Sequence, residues 1–180
     1  MFAISLVHHP VLDRRGDIQA SSVTPFDIHD ISRSSKTYGI SKFYVTHPAP
    51  LQRGIVERIL GFWEIGGGKQ WNPHRSNALQ VACVIPTLKM AIEDFTKVSG
   101  QVPQLVATTA RETPNSISYE DIKKRFDKPT MFVFGTGWGL TQETLDMCDL
   151  ILKPIYGPTD FNHLSVRAAV AIILDRLFGR

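Results

Sequence analysis

The chain has 180 residues, 43% of them hydrophobic and 21% charged, with 20 Lys and Arg against 17 Asp and Glu for a formal net charge of +3. This length supports one substantial core, so residues 1–180 are read as a single domain, and the composition excludes a disordered chain. No run approaches the roughly 20 apolar residues of a spanning helix, and so slight a basic excess does not by itself identify a polyanionic partner.

The chain opens on MFAISLV, which runs straight into His8, His9 and Pro10. It is too short and wrongly flanked for a signal peptide and reads as a first strand, Phe2 to Val7, so a cytoplasmic location is expected. Adjacent residues on a strand point to opposite faces, and no Cys or acidic cluster accompanies the two histidines, so no metal is expected. Thr24 before Pro25 is a cap with proline in the first turn, starting a helix over Asp27 to Tyr38 that stops at Gly39. A strand over Lys42 to Thr46 and a helix over Leu51 to Glu64 follow.

Next comes a long segment without periodicity, IGGGKQWNPHRSN at Ile65 to Asn77. A loop of this length is functional or mobile. Its Lys69, Trp71, His74 and Arg75 combine positive charge with an aromatic face able to stack a base, so Lys69 and Arg75 are candidate substrate contacts. The plain alternative is a solvated loop with its tryptophan packed on the body. Joining a helix to a strand, the segment is expected at the sheet edge opposite the usual ligand crevice.

The remainder alternates strands at Gln80 to Ile85, Gln104 to Thr108, Thr130 to Phe134 and Leu150 to Lys153 with helices at Thr87 to Val98, Ser118 to Phe126, Gln142 to Cys148 and His163 to Phe178. Six strands alternating with helices predict an α/β fold with an open, mostly parallel sheet and helices on both faces. The last helix is apolar around most of its circumference and should be buried in the sheet or a partner subunit. Cys83 and Cys148 lie in core-like stretches with no basic neighbour, and read as reduced structural thiols.

Between the fifth strand and its helix stands FGTGWG, with Gly135, Gly137 and Gly139. Glycine lets a ligand approach the backbone closely, yet the spacing matches neither the dinucleotide fingerprint nor a P-loop, and alone it reads as a tight turn. The first strand is followed by HHPVLDRRGD instead of a glycine-rich turn, which disfavours a dinucleotide-binding oxidoreductase.

Taken in order, three segments resemble the motifs of the SpoU group of the SPOUT RNA methyltransferases. In the first, Asp27, Arg33, Ser34 and Gly39 stand where the family shows an Asn, an Arg six residues on, a small residue and a helix-ending glycine. In the second, Phe134, Gly135, Gly139, Leu140 and Glu143 match a strand ending in a glycine loop, a Gly-Leu pair and a small helix. In the third, Pro154, Gly157, Ser165 and the run Arg167 to Leu174 match a proline after a strand and an alanine-rich helix start. The chain departs from the pattern at Asp27, which replaces Asn, at Thr136 and Gly137, where a glutamate is usual, and at His163, which takes the place of an Asn, with Asn162 adjacent.

The resemblance implies an α/β fold with a C-terminal trefoil knot, a homodimer, and S-adenosylmethionine (SAM) held mostly by backbone from three loops. On this chain those loops carry Thr108, Thr109 and Ala110; Phe134, Gly135, Gly137 and Gly139; and Leu152, Pro154, Ile155, Gly157 and Leu164. It implies tRNA or rRNA as substrate, with Asp27 and Arg33 facing it and Arg33, His163 and Ser165 as candidate catalytic residues. An always-protonated Arg33 orients phosphate or stabilises alkoxide charge; its plain alternative is an ion pair with Asp30 or Asp27. His163 is either a general base or a helix-start residue bonded to backbone. Ribose 2′-O-methylation is the first reading of the activity; transfer to a base such as guanine N1, or a non-catalytic RNA-binding member of the fold, are the alternatives.

Overall fold

The computed structural model describes residues 1–180. Nearly continuous apolar runs along the central strands dictate two covered faces, and the chain builds a seven-stranded parallel sheet with helices on both. Its strands are β1 (Phe2–Val7), β4 (Lys42–Thr46), β5 (Ala82–Ile85), β6 (Gln104–Thr108), β7 (Ser116–Ile117), β8 (Thr130–Gly135) and β9 (Leu150–Leu152), in the order β5-β4-β1-β8-β6-β9-β7. A separate antiparallel pair, β2 (Val11–Leu12) and β3 (Ile18–Gln19), forms a small hairpin after β1.

One face of the sheet presents Ile4, Leu6, Phe132 and Phe134 to α1 (Pro25–Thr37), α2 (Pro50–Glu64) and α8 (Val166–Phe178). The residues between them, Ala3, Val7, Met131 and Val133, meet α5 (Leu88–Ser99) and the region of α7 (Gln142–Asp146). This period-two division is what fixes the register of β1 against β8, Ile4 beside Phe132 and Leu6 beside Phe134. Helix starts fall where capping chemistry places them: the Thr24, Thr87 and Ser118 side chains accept hydrogen bonds from the backbone N–H groups of Asp27, Met90 and Asp121. Ser118 opens α6 (Tyr119–Lys123), shorter than its periodicity suggests.

α1 and α8 lie side by side and run the same way. At their starts the Arg167 guanidinium is 3.5 Å from both Asp27 Oδ1 and Asp30 Oδ2, and at their ends the Tyr38 hydroxyl donates to Asp175 Oδ1 at 2.9 Å. The inner stripe of α8, Val170, Ile173, Leu174 and Leu177, is buried, and Phe178 stacks on Phe126 with a centroid separation of 5.6 Å. No helix is long and apolar enough to cross a membrane.

The structure differs from the sequence reading at Ile65 to Asn77, where an irregular loop is replaced by two short helices, α3 (Gly67–Trp71) and α4 (Pro73–Leu79). The Asn72 side chain caps α4 by accepting from Arg75 N–H at 3.0 Å, and the Ser76 hydroxyl donates to the Trp63 carbonyl at 2.7 Å. Helices of five and seven residues are too short to show a 3.6-residue period, and tertiary contact holds them instead. α4 leads into the N-terminal end of β5, on the edge expected for this segment.

Candidate functional site

In an open parallel sheet, ligands collect where loops leave the C-terminal ends of the strands. β8, β6 and β9 are consecutive neighbours here, so three loops distant in sequence emerge together. They are Ala107 to Arg111, Phe134 to Gly139 and Leu152 to Leu164. Thr108 Oγ1 donates to the Val133 carbonyl at 3.1 Å, and Asn162 Nδ2 donates to the Ala110 carbonyl at 3.0 Å. The ring of His163 stands edge-on to Trp138 at 6.0 Å and to Phe161 at 5.4 Å.

The structure sends the three loops from the same end of neighbouring strands, and the residues that the sequence reading set around a cofactor differ in exposure there. Phe134 and Leu152 point into the core and are 1% exposed, leaving only their backbone for a ligand. Thr108, Thr109, Gly135 and Gly139 are half-buried, Ala110 and Gly157 are exposed, Pro154 is buried, and Ile155 packs partly on the core. A Cβ built at Gly139 or Gly157 meets nothing within 4 Å, so backbone there borders open space. Trp138, Tyr156, Phe161 and Leu164, on the same loops, expose apolar surface. Neutral backbone groups beside apolar and aromatic walls fit a nucleoside carrying a sulfonium, a ligand that requires little counter-charge.

The glycine loop has no room for side chains on its inner side. A Cβ at Gly135 would lie 2.7 Å from Leu140 N, and one at Gly137 would lie 2.9 Å from the Leu12 carbonyl, with φ of +59° adding strain for any other residue. The loop is also pinned to the β2–β3 hairpin: Leu12 N–H donates to the Gly139 carbonyl and Trp138 N–H to the Leu12 carbonyl, both at 2.9 Å.

Beside the loop lies a partly buried polar chain that sequence reasoning missed. The Thr136 hydroxyl donates to the Val7 carbonyl at 3.1 Å. With its proton so committed, Thr136 Oγ1 accepts from the Ser21 hydroxyl, and Ser21 Oγ in turn accepts from His8 Nδ1 at 3.0 Å. A carbonyl only accepts, so the direction of the chain is fixed and His8 carries its proton on Nδ1. His8 is fully buried and its Nε2 has no partner. Burial, followed by the nearby His47 imidazole, holds its pKa down at about 4, opposed in part by Asp27 and by a hydrogen bond with the Ser21 backbone. His47, pushed down mainly by burial, accepts from Ala49 N–H and bonds the Ser21 carbonyl.

The remaining candidates are dispersed. Ser165 caps α8 without a side-chain hydrogen bond, beside the exposed His163. Asp27 is 6% exposed, accepting from the Thr24 hydroxyl at 2.7 Å and facing Arg167. Because Arg167 takes both Asp27 and Asp30, Arg33 is free of either. It lines a cleft with Lys36, Thr37, Asn72, His74, Arg75 and Ala78 that contains no residue of the three loops. Lys69 is exposed on α3. Both thiols are unpaired and half-buried, and burial pushes Cys83 up to about 11 and Cys148 to about 12, so neither is a nucleophile at neutral pH.

A histidine whose folded pKa lies below its unfolded value stabilises the protein fully above the unfolded value and loses that contribution as pH falls through the window to the folded one. For His8 this window runs from 6.5 to about 4, and the loss across it is about 3 kcal/mol at 1.36 kcal/mol per unit. Urea unfolding at closely spaced pH values should show this decline, smaller in His8→Gln; equal slopes in the two proteins would contradict the assignment.

A family model described as SAM-dependent RNA methyltransferase matches residues 1–179. A protein of Aquifex aeolicus is 44% identical over 181 residues, covering 98% of this chain and 88% of that one. A tRNA (guanine-N(1)-)-methyltransferase of Nitratidesulfovibrio vulgaris is 44% identical over 175 residues, covering 97% of this chain. The chain spans only 41% of that relative's length. Among solved structures, TrmJ from Z. mobilis superposes with a TM-score of 0.61 at 18% identity, covering 98% of this chain and 68% of that one, a likeness of fold. The chain belongs to the family of SAM-dependent RNA methyltransferases.

Proposed function

We propose that this chain methylates tRNA, binding SAM in the space bounded by the loops after β6, β8 and β9. The observation that carries this reading is the meeting of those three loops at one sheet edge, with open backbone at Gly139 and Gly157. SAM supplies a methyl group already activated for in-line attack, so the protein must orient a nucleophile and remove its proton. His163, exposed between Trp138 and Phe161, is suited to accept that proton. The Ser165 hydroxyl, free of a capping bond, is suited to hold the substrate beside it.

The name of the N. vulgaris relative supports tRNA as the substrate and guanine N1 as the receiving atom, ahead of the ribose 2′-hydroxyl that the motif order implies. One observation keeps the ribose as the second reading: more than half of that relative lies outside the match and can itself carry the named activity. The cleft that Arg33 lines contains no residue of the three loops, which supports a homodimer in which it serves a neighbouring copy. Phe26, Phe161 and Leu164, exposed around the start of α8, supply apolar surface for such an interface. The trefoil threading belongs to the same proposal, supported by the Asn162 bond that holds the stretch after β9 against the loop after β6.

Incubation with tritiated SAM and unmodified tRNA transcripts, followed by digestion to nucleosides, should yield labelled 1-methylguanosine. Label confined to nuclease-resistant 2′-O-methylated dinucleotides would move the assignment to the ribose, and no label in any RNA would refute the proposal. Gly135→Ala, which forces Leu140 backbone to shift, should weaken SAM binding about tenfold, about 1.4 kcal/mol by calorimetry; unchanged affinity would remove this loop from the site. Arg33→Ala should lower methylation about 100-fold, as expected for loss of a charge-stabilising group, with SAM affinity intact; a collapse of SAM affinity would mean its role is misassigned.

A further inference from the structure

The cleft between α1 and α4 contains no residue of the three loops, and of its lining only Arg33 has a part in the proposed reaction. Its volume is about 270 Å³, and its lining is Arg33, Lys36 and Thr37 from α1 with Asn72, His74, Arg75 and Ala78 from the α3–α4 segment. No carboxylate lines it. The ion pairs of the chain engage only Lys124 and Arg167 among its bases, so Arg33, Lys36 and Arg75 concentrate positive charge without neutralisation.

The wall of the cleft is built and not merely solvated. The Arg75 guanidinium lies 5.2 Å from the Trp63 ring centroid, and its backbone N–H is held by Asn72. Trp71 lies nearly parallel to Trp63, with 9° between planes and 6.5 Å between centroids, yet remains 80% exposed. A Cβ at Gly68 would lie 2.7 Å from the Trp63 ring and 2.8 Å from the Phe62 ring, so this glycine serves the packing of the aromatic platform. The field of the cations is felt nearby: the His29 pKa is lowered by burial, then by Arg75 and also by Arg33, against a raising effect of Asp30.

We propose that this cleft binds the phosphodiester backbone of a single-stranded stretch of the substrate RNA, with an unpaired base stacked on Trp71. Unpaired guanidinium and ammonium groups recognise phosphate, and an exposed indole beside them takes the face of an unstacked base. The cleft is formed without any residue of the loops after β6, β8 and β9, so it grips a part of the RNA other than the nucleotide being methylated on the same chain. This inference rests on RNA being the substrate, but it concerns affinity and not chemistry.

Binding of an unmodified tRNA transcript and of a short unstructured RNA, measured by fluorescence anisotropy across KCl concentrations, tests it. Each lost phosphate contact should lower the slope of log K against log salt by about 0.7 to 0.9. Lys36→Ala with Arg75→Ala should therefore flatten the slope by about 1.5 and reduce affinity about tenfold at low salt. Arg75→Lys should keep the slope. Trp71→Ala should reduce affinity about tenfold with the slope intact, as stacking predicts. SAM affinity and melting temperature should not change in these variants. Unaltered RNA binding in both alanine proteins, a slope lost equally in Arg75→Lys, or equal affinity for duplex DNA would overturn the proposal. Cleft-dependent RNA binding by a protein that transfers no methyl group would sink the enzymatic reading and leave this one standing; normal methylation with RNA binding indifferent to the cleft would do the reverse.

Discussion

Everything at the site depends on the adjacency of β8, β6 and β9 in a parallel sheet. Parallel strands must send their following loops to the same edge, and right-handed crossovers leave helices to cover both faces. Residues near 108, 136 and 157 are thereby collected without any sequence proximity. The sheet needs only its alternating apolar residues, Phe132 and Phe134 on one face with Met131 and Val133 on the other, to hold that order.

The glycine loop is then made rigid from below. Gly135 and Gly137 let it press on Leu140 and on the β2–β3 hairpin, and the chain from Val7 through Thr136 and Ser21 to His8 anchors it to the central strand. A neutral histidine is suited to this position because burial would penalise a charged one more than Asp27 offsets. The free Nε2 lone pair of His8 is the unsatisfied remainder of that arrangement. Preorganised backbone of this kind costs no rearrangement when ligand arrives.

Much of this was legible in the sequence, and what was not has local reasons. The main strands and the caps at Thr24, Thr87 and Ser118 follow from period and side-chain chemistry, and the glycine and proline loops stood out by composition. The hairpin strands and β7 have two residues each, below any periodic signal. The α3 and α4 helices hide in a glycine-rich segment, of which Gly68 packs against the rings of Phe62 and Trp63. His8 gave no sign of its role because its partners lie 13 and 115 positions further along the chain of contacts, from His8 to Ser21 and from Ser21 to Thr136. Asp27 aligned with a motif position, but its burial against Arg167 depends on the packing of α1 beside α8, which no local pattern encodes. The family comparison supports the reaction class, while the receiving atom stays a matter of proposal because the named relative is much longer than this chain.

The most direct measurement is a crystal structure of the chain grown with SAM. The account predicts adenosine and methionine density enclosed by Ala107 to Arg111, Phe134 to Gly139 and Leu152 to Leu164, with the methyl group turned toward His163. Ligand bound elsewhere, or bound without touching the turn that Gly135 begins, would contradict it.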